Sequence, residues 1–112
     1  MSSLFVIRGR DQGKRFELDG DVIGIGRDSS NTIQLFDTEI SRCHAEVRLN
    51  DEAAEWIDLG SSNGSFVNSL RVDSHALRSG DRIQVGKTLM IFTVEYAIMQ
   101  QLCSIWGPSI CS

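Results

Sequence analysis

Residues 41–68 of the chain read SRCHAEVRLNDEAAEWIDLGSSNGSFVN. Within this segment, residues 45–49 and 54–58 alternate apolar with polar side chains, and neither stretch shows helical spacing. The run Ser-Arg-Cys-His precedes the pair, and a run rich in serine, asparagine and glycine follows it. Alternation with a period of two predicts strands that have one buried and one solvated face, and closely spaced turns predict antiparallel neighbours.

Strand-like segments continue through the rest of the chain, separated by short turns. The turn signals include Asp19-Gly20, which favours a hairpin because both positions accept a positive φ, and Gly86-Lys87. Many short strands without alternating helices predict an all-β sandwich or barrel, with Trp56 and Phe66 in its core. The further strand-like segments are residues 4–7, 14–18, 22–25, 32–35, 82–85 and 89–96.

Length and charge limit the possible functions. The chain has 112 residues, of which 41% are hydrophobic and 23% charged, and this composition is that of a single globular domain. The formal net charge is −4, from eleven basic and fifteen acidic residues. This balance argues against general nucleic-acid binding, which requires a basic surface. One anionic group could still be bound, because that depends on local charge rather than on the total.

The lack of a recognisable secretory signal and the spacing of the cysteines lead us to expect a cytoplasmic protein. Residues 1–8 lack the basic start and long apolar core of a secretory signal, and no stretch approaches the ~20 apolar residues of a membrane span. The three cysteines, Cys43, Cys103 and Cys111, are odd in number and lack metal-binding spacing. We therefore expect reduced thiols, no metal and no membrane contact.

Hydrogen-bond donors are concentrated where strand-like stretches end or begin. A phosphate ester carries about −1.5 to −2 charges and several strong acceptor oxygens, so it requires such donors. An arginine offers a fork of N–H groups, and a serine in a loop offers a short hydroxyl. Loops of a rigid sandwich can bring such residues together without any helix. The donor residues in these positions are Arg27, Ser41, Arg42, Ser62 and Asn63.

Three motifs together resemble the signature of the forkhead-associated (FHA) domain. They are Gly26-Arg27, the run 41–44 with the form Ser-Arg-x-His, and the run 58–68, in this order and with plausible spacing. The resemblance extends over roughly residues 3–96. It implies an antiparallel β-sandwich of about eleven short strands, which binds phosphothreonine peptides through loops at one end.

The resemblance also implies roles for the donor residues. Arg27, Ser41 and Ser62 would contact the phosphate. Arg42 would flank the phosphate or the peptide, and Asn63 would hold the backbone of the bound peptide. Candidates for reading the flanking peptide residues at the rim of the site are Arg8, Arg10, Ser61 and Arg71.

Other motif residues are implied to support the site rather than to contact the ligand. His44 would brace the loops by hydrogen bonding, and three further residues would shape turns: Gly26, Gly64 and Asn68. The sequence departs from the family at two positions. Ser65 occupies a position where threonine is common, and Ser69 follows Asn68 where glycine is usual. Both departures are expected to alter loop stability rather than to abolish binding.

Two other functions remain to be weighed against phosphopeptide binding. Ser41, His44 and Asp58 form a nominal nucleophile, base and orienting residue, but no nucleophile-elbow or dinucleotide motif accompanies them, so we expect no enzyme and no cofactor. A phospho-independent interaction or scaffolding domain is the alternative function. The expected partner is a phosphothreonine-containing protein, such as a Ser/Thr kinase or its substrate.

Residues 97–112 differ in kind from the domain at 1–96. This tail has no charged residue, and its large apolar side chains recur at helical spacing. It is expected to form a short helix folded back on the sandwich, a contact surface for a partner or a second copy, or a frayed terminus. The protein is therefore expected to be a monomer or a weak homodimer through the tail. The apolar tail residues are Ile98, Met99, Leu102, Ile105 and Trp106.

Overall fold

The computed structural model describes residues 2–50 and 53–94, which contain eleven strands and no helix. The apolar tail and its possible helix lie outside the described residues. Each strand-like segment of the sequence corresponds to a strand. Three short strands between residues 65 and 76 were not predicted. The strands are β1 Ser2–Arg8, β2 Arg15–Leu18, β3 Val22–Gly26, β4 Ile33–Gln34, β5 Ala45–Leu49, β6 Ala54–Asp58, β7 Ser65–Val67, β8 Leu70–Val72, β9 Ser74–Ala76, β10 Arg82–Val85 and β11 Thr88–Val94.

The strands form two sheets, so the prediction of an all-β sandwich is confirmed. One sheet has six strands in the order β2-β1-β11-β10-β7-β8, and the other has five in the order β4-β3-β5-β6-β9. All pairs among the described strands are antiparallel except β3 with β4, which is parallel. The turn Gly86-Lys87 joins β10 to β11 as a hairpin, as the sequence predicts.

The core lies between the facing sides of the two sheets. Period-2 alternation sends one set of side chains inward, for example Leu4 and Val6 of β1 and Trp56 of β6, and each of these is 0% exposed. Phe92 of β11 is buried beside them. The expectation that Phe66 lies in the core is wrong, because Phe66 is only partly buried and pairs with Gln84 and Arg71 on neighbouring strands.

The turn at Asp19-Gly20 is not the hairpin that the sequence predicts. β2 pairs with β1 in the six-stranded sheet, whereas β3 lies in the five-stranded sheet. Gly20 has a φ of +107°, so the turn uses the positive φ that its sequence favours. The chain crosses from one sheet to the other at this turn. β2 belongs to the sheet of β1, where Phe16 pairs with Leu4.

The hairpin between β7 and β8 contains the second family departure. Its two turn residues, Asn68 and Ser69, have φ values of +50° and +73°. A two-residue turn with both φ values positive fits the right-handed twist of the flanking strands, and glycine is favoured at its second position. Ser69 therefore holds a left-handed backbone that costs a residue with a β-carbon roughly 1–2 kcal/mol.

We expect Ser69→Gly to raise the free energy of unfolding by about 0.5–1 kcal/mol. Relief of the left-handed strain exceeds the entropy that glycine adds to the unfolded chain, which is about 0.5–1 kcal/mol. Chemical denaturation measures the change. Ser29→Gly is the control, since Ser29 is exposed and has no positive φ, and it should lower stability instead. Equal destabilisation by both variants would contradict the assignment of strain to Ser69.

Candidate functional site

The register of the five-stranded sheet brings three loops to one edge. Ile25 near the end of β3 pairs with Ala45 at the start of β5, and Ala45 pairs with Asp58 at the end of β6. The residues that follow β3, precede β5 and follow β6 therefore leave the sheet side by side. This edge contains Gly26-Arg27, the run 41–44 and the first part of the run 58–68, up to Gly64.

Backbone hydrogen bonds join the first two loops. The Arg27 N–H donates to the Ser41 carbonyl over 3.0 Å, and the Asp28 N–H donates to the Arg42 carbonyl over 3.2 Å. The Arg27 Nε also donates to the carbonyl of Ile40 over 3.1 Å. The positions of Arg27 and Ser41 are therefore fixed relative to each other by the main chain.

Gly26 is required by the close approach of these two loops. A β-carbon at Gly26 would lie 2.1 Å from the carbonyl oxygen of Arg42, a distance that backbone atoms cannot tolerate. The side-chain amide of Asn31 fills the remaining space and donates to the same Arg42 carbonyl over 2.6 Å and to the Asp28 carbonyl over 2.8 Å. No motif of the sequence contains Asn31, so its position here was not predicted.

His44 connects the second loop to the third. The imidazole is completely buried, its Nδ1 accepts the Ser41 N–H over 3.1 Å, and its Nε2 donates to the Gly64 carbonyl over 2.9 Å. A carbonyl can only accept and an N–H can only donate, so these partners define the neutral tautomer with hydrogen on Nε2. Two loops 20 residues apart in sequence are thus joined through one side chain.

The third loop lies against Ser41 and the loop that precedes it. The Ser62 N–H donates to the Ser41 Oγ over 3.1 Å. The side-chain amide of Asn63 donates to the Glu39 carbonyl over 2.7 Å. The Asn63 nitrogen is therefore already engaged within the protein, and the contribution of Glu39 through its carbonyl has no sequence signal.

Ser61 organises the turn within the third loop. Its N–H and its hydroxyl donate to the two carboxylate oxygens of Asp58 over 3.1 and 2.7 Å, and its Oγ accepts the Gly64 N–H over 3.0 Å. Gly64 has a φ of +83°. Because both the carboxylate and the hydroxyl have partners inside the turn, the structure does not support Ser61 as a rim residue.

Positive charge is concentrated at this edge. Arg27, Arg42 and Arg71 are exposed, and no carboxylate of residues 2–50 and 53–94 forms an ion pair with any of them. Hydrogen bonds from the side chain and the backbone of Ser30 hold the pKa of Asp28 below its ordinary value, and the charges of Arg42 and Arg27 add to this lowering. The site therefore has arginine donors that are not paired with acidic side chains.

Asn68 does not lie at this edge. It follows β7 at the end opposite Gly64, and its side chain accepts the Arg82 N–H over 3.1 Å and donates to the Asp81 carboxylate over 3.1 Å. Partial burial raises the pKa of Asp81, but hydrogen bonds from the Arg78 N–H, Asn68 and His75 hold it below its ordinary value. The contacts of Asn68 stabilise the far end of the sandwich.

The nominal catalytic set does not have the geometry of a catalytic triad. His44 accepts from the backbone N–H of Ser41 rather than from its hydroxyl, and Asp58 binds Ser61 rather than His44. Across the described ranges, no cluster of three or more metal-ligating side chains is found. No described helix has the length and apolar character to cross a membrane.

A family model described as an FHA domain matches residues 23–86, from β3 to the turn before β11. The chain belongs to the FHA domain family. The resemblance inferred from the three motifs is thereby confirmed, and the matched residues include all three loops of the site.

Curated and solved FHA proteins are similar over most of the chain. The glycogen accumulation regulator GarA of Mycobacterium tuberculosis is 42% identical over 92 residues, which are 81% of this chain and 57% of GarA. The oxoglutarate dehydrogenase inhibitor of Corynebacterium jeikeium is 42% identical over 92 residues, 81% of this chain and 64% of that protein. The chain thus spans less than two thirds of either relative. A solved FHA domain studied for phosphothreonine-dependent interactions matches with a TM-score of 0.79 at 30% identity, covering 85% of this chain and 97% of that one.

Proposed function

We propose that this FHA domain is a signalling adaptor module that binds phosphothreonine peptides of partner proteins through the three loops at its edge. The proposal rests on the hydrogen-bond donors around Ser41 that have no partner among the described residues. The Ser41 Oγ accepts from Ser62, so its own proton is free for a ligand oxygen. Among the described residues, the Arg27 side chain donates through Nε alone, so its terminal nitrogens are available to a ligand as well.

The contacts support a proposed role for each site residue. Arg27 and the Ser41 hydroxyl bind the phosphate, the hydroxyl of exposed Ser62 binds a further phosphate oxygen, and Arg42 adds charge beside it. The Asn63 side-chain amide donates to the Glu39 carbonyl, and its side-chain oxygen accepts a peptide N–H. Gly26, His44 and Gly64 hold the loops in register for binding.

The charge balance favours an anionic ligand in this place although the whole protein is acidic. Three arginines at the edge have no acidic partner among the described side chains, while the net charge is −4. Local arginines decide the binding of one phosphate, and overall negative charge discourages polyanions such as nucleic acids. The proposed function needs no cofactor and no catalytic residue.

The partner proposed here is a phosphorylated protein in the cytoplasm, either a Ser/Thr kinase or its substrate. A curated relative is named as a regulator and another as an enzyme inhibitor, and both descriptions fit a domain that acts through protein contacts. The alternative, a phospho-independent scaffold, would leave the free donors of Arg27 and Ser41 without a use.

An oriented phosphopeptide library followed by fluorescence titration of selected peptides tests this proposal. The phosphothreonine peptide should bind, the unphosphorylated peptide should not, and the phosphoserine peptide should bind more weakly. Threonine carries one additional methyl group, whose burial is worth about 0.8 kcal/mol, or roughly fourfold in affinity. Equal binding with and without phosphate would establish the scaffolding alternative, and equal binding of phosphoserine and phosphothreonine would remove the threonine preference alone.

A further inference from the structure

Arg71 lies beside the proposed site but belongs to none of its three loops. It is an exposed residue of β8, opposite Phe66 of β7. A β-carbon at Gly64 would lie 2.8 Å from the Arg71 Nε and 3.0 Å from its Cζ. The guanidinium therefore covers the Gly64 backbone, next to Ser62 and Asn63.

The guanidinium of Arg71 forms no ion pair with any carboxylate of residues 2–50 and 53–94. Another strand arginine is paired within its own strand, since the Arg48 Nη2 lies 2.8 Å from the Glu46 carboxylate. The acidic side chain in the loop that Arg71 covers is Asp58, and both of its oxygens accept hydrogen bonds from Ser61. Arg71 is thus an exposed, unneutralised cation at the edge of the site.

We propose that Arg71 is a specificity-determining residue, which selects phosphopeptides that carry a second anionic side chain near the phosphothreonine. This inference rests on the proposed function. A peptide whose backbone is held by Asn63 passes beside Gly64, where a flanking side chain comes within reach of the guanidinium. A carboxylate or a second phosphate can accept two N–H groups of an arginine at once, whereas a neutral amide cannot replace that charge.

The chemistry of the Gly64 position supports this role for Arg71. Any larger residue at position 64 would push the guanidinium away, because its β-carbon would lie within 3.2 Å of three guanidinium atoms. The same glycine holds the loop through its carbonyl bond to the buried His44. The Arg71 guanidinium therefore lies against a loop position that is itself held by a buried hydrogen bond.

The test uses a phosphothreonine peptide with neutral flanks, selected from the library, as the parent. Each flanking position is replaced in turn by glutamate, glutamine or phosphoserine, and each peptide is titrated at low and high salt. Wild-type protein should bind the glutamate peptide about threefold to tenfold more tightly than the glutamine peptide at one position. If phosphoserine raises the affinity at that position and glutamate does not, the anion that Arg71 binds is a second phosphate.

Three variants separate this contact from general charge. Arg71→Gln should abolish the preference for the anionic peptide over the parent, while Arg71→Lys should retain part of the preference. Arg78→Gln removes the same charge near the other end of β5, where Arg78 lines a cavity with Leu49, and it should retain the preference fully. Thermal melting of each variant checks that the fold is intact.

Two outcomes would overturn the inference. In the first, glutamate and glutamine peptides bind equally at every position and phosphoserine does not raise the affinity at any. In the second, the preference for an anionic peptide persists in Arg71→Gln. Both outcomes presuppose that the parent phosphopeptide binds. If wild-type protein binds no phosphopeptide, the proposed function itself has failed, and the two failures are therefore distinguishable.

Discussion

Replacing Arg27 with alanine should lower phosphothreonine-peptide affinity by about 2–4 kcal/mol, which is roughly 30-fold to 900-fold, with little change in stability. Within residues 2–50 and 53–94, no acidic side chain forms an ion pair with the Arg27 guanidinium, so its terminal nitrogens can donate to a ligand. The fold loses the partly exposed hydrogen bond from Nε to Ile40, worth about 1 kcal/mol or less. Calorimetric titration and chemical denaturation measure the two effects separately.

Matched variants define what Arg27 contributes. Arg27→Lys keeps the charge but loses the fork of donors, so it should recover part of the affinity. Arg78→Ala removes an exposed arginine away from the site and should leave affinity within about twofold, because exposed charges separated by more than a Debye length of ~8–10 Å are largely screened. An Arg27→Ala protein that still binds the phosphopeptide with wild-type affinity would show that the phosphate is held elsewhere.

The alternation of side chains allowed most of the strands to be predicted. The bounds expected for β5 and β6 agree with the structure because each strand has one buried face, as the burial of Ala45, Val47 and Trp56 shows. Strands β7 to β9 have three residues each, which are too few to show a period of two. The turn at Asp19-Gly20 was predicted as a turn, but local sequence does not tell which sheet the next strand joins.

The site was predictable as a set of motifs and not as a set of contacts. Ser41, Arg27 and the third loop are named by local sequence patterns, and the strand register brings them together. The bonds that fix them use main-chain carbonyls, such as that of Glu39, which binds Asn63 from 24 residues away. Every residue has a carbonyl, so no sequence signal marks the one that is used. The approach of Arg71 to Gly64 is equally invisible, because it depends on how β8 pairs with β7.

His44→Ala should lower the free energy of unfolding by about 3–4 kcal/mol, a large share of the ~5–15 kcal/mol that stabilises a typical domain. The imidazole is fully buried and makes two hydrogen bonds, to the Ser41 N–H and the Gly64 carbonyl. Its removal leaves the buried Gly64 carbonyl without a partner, at about 1–3 kcal/mol, frees the part-buried Ser41 N–H, and leaves a cavity as well. Urea denaturation at low temperature measures the loss, since part of the variant population is expected to be unfolded at higher temperature.

Two further variants distinguish a bracing role for His44 from a ligand contact. His44→Gln retains an amide N–H that can reach the Gly64 carbonyl, so it should recover part of the stability that alanine loses. His75→Ala is the histidine control: its side chain is 36% exposed and lies 3.3 Å from the Asp81 carboxylate, so its loss should cost about 1 kcal/mol or less. If His44 braces the loops, the alanine variant must be less stable than the wild type even when no phosphopeptide is present. An alanine variant that keeps wild-type stability and loses binding would instead place His44 in direct contact with the peptide, which its complete burial argues against.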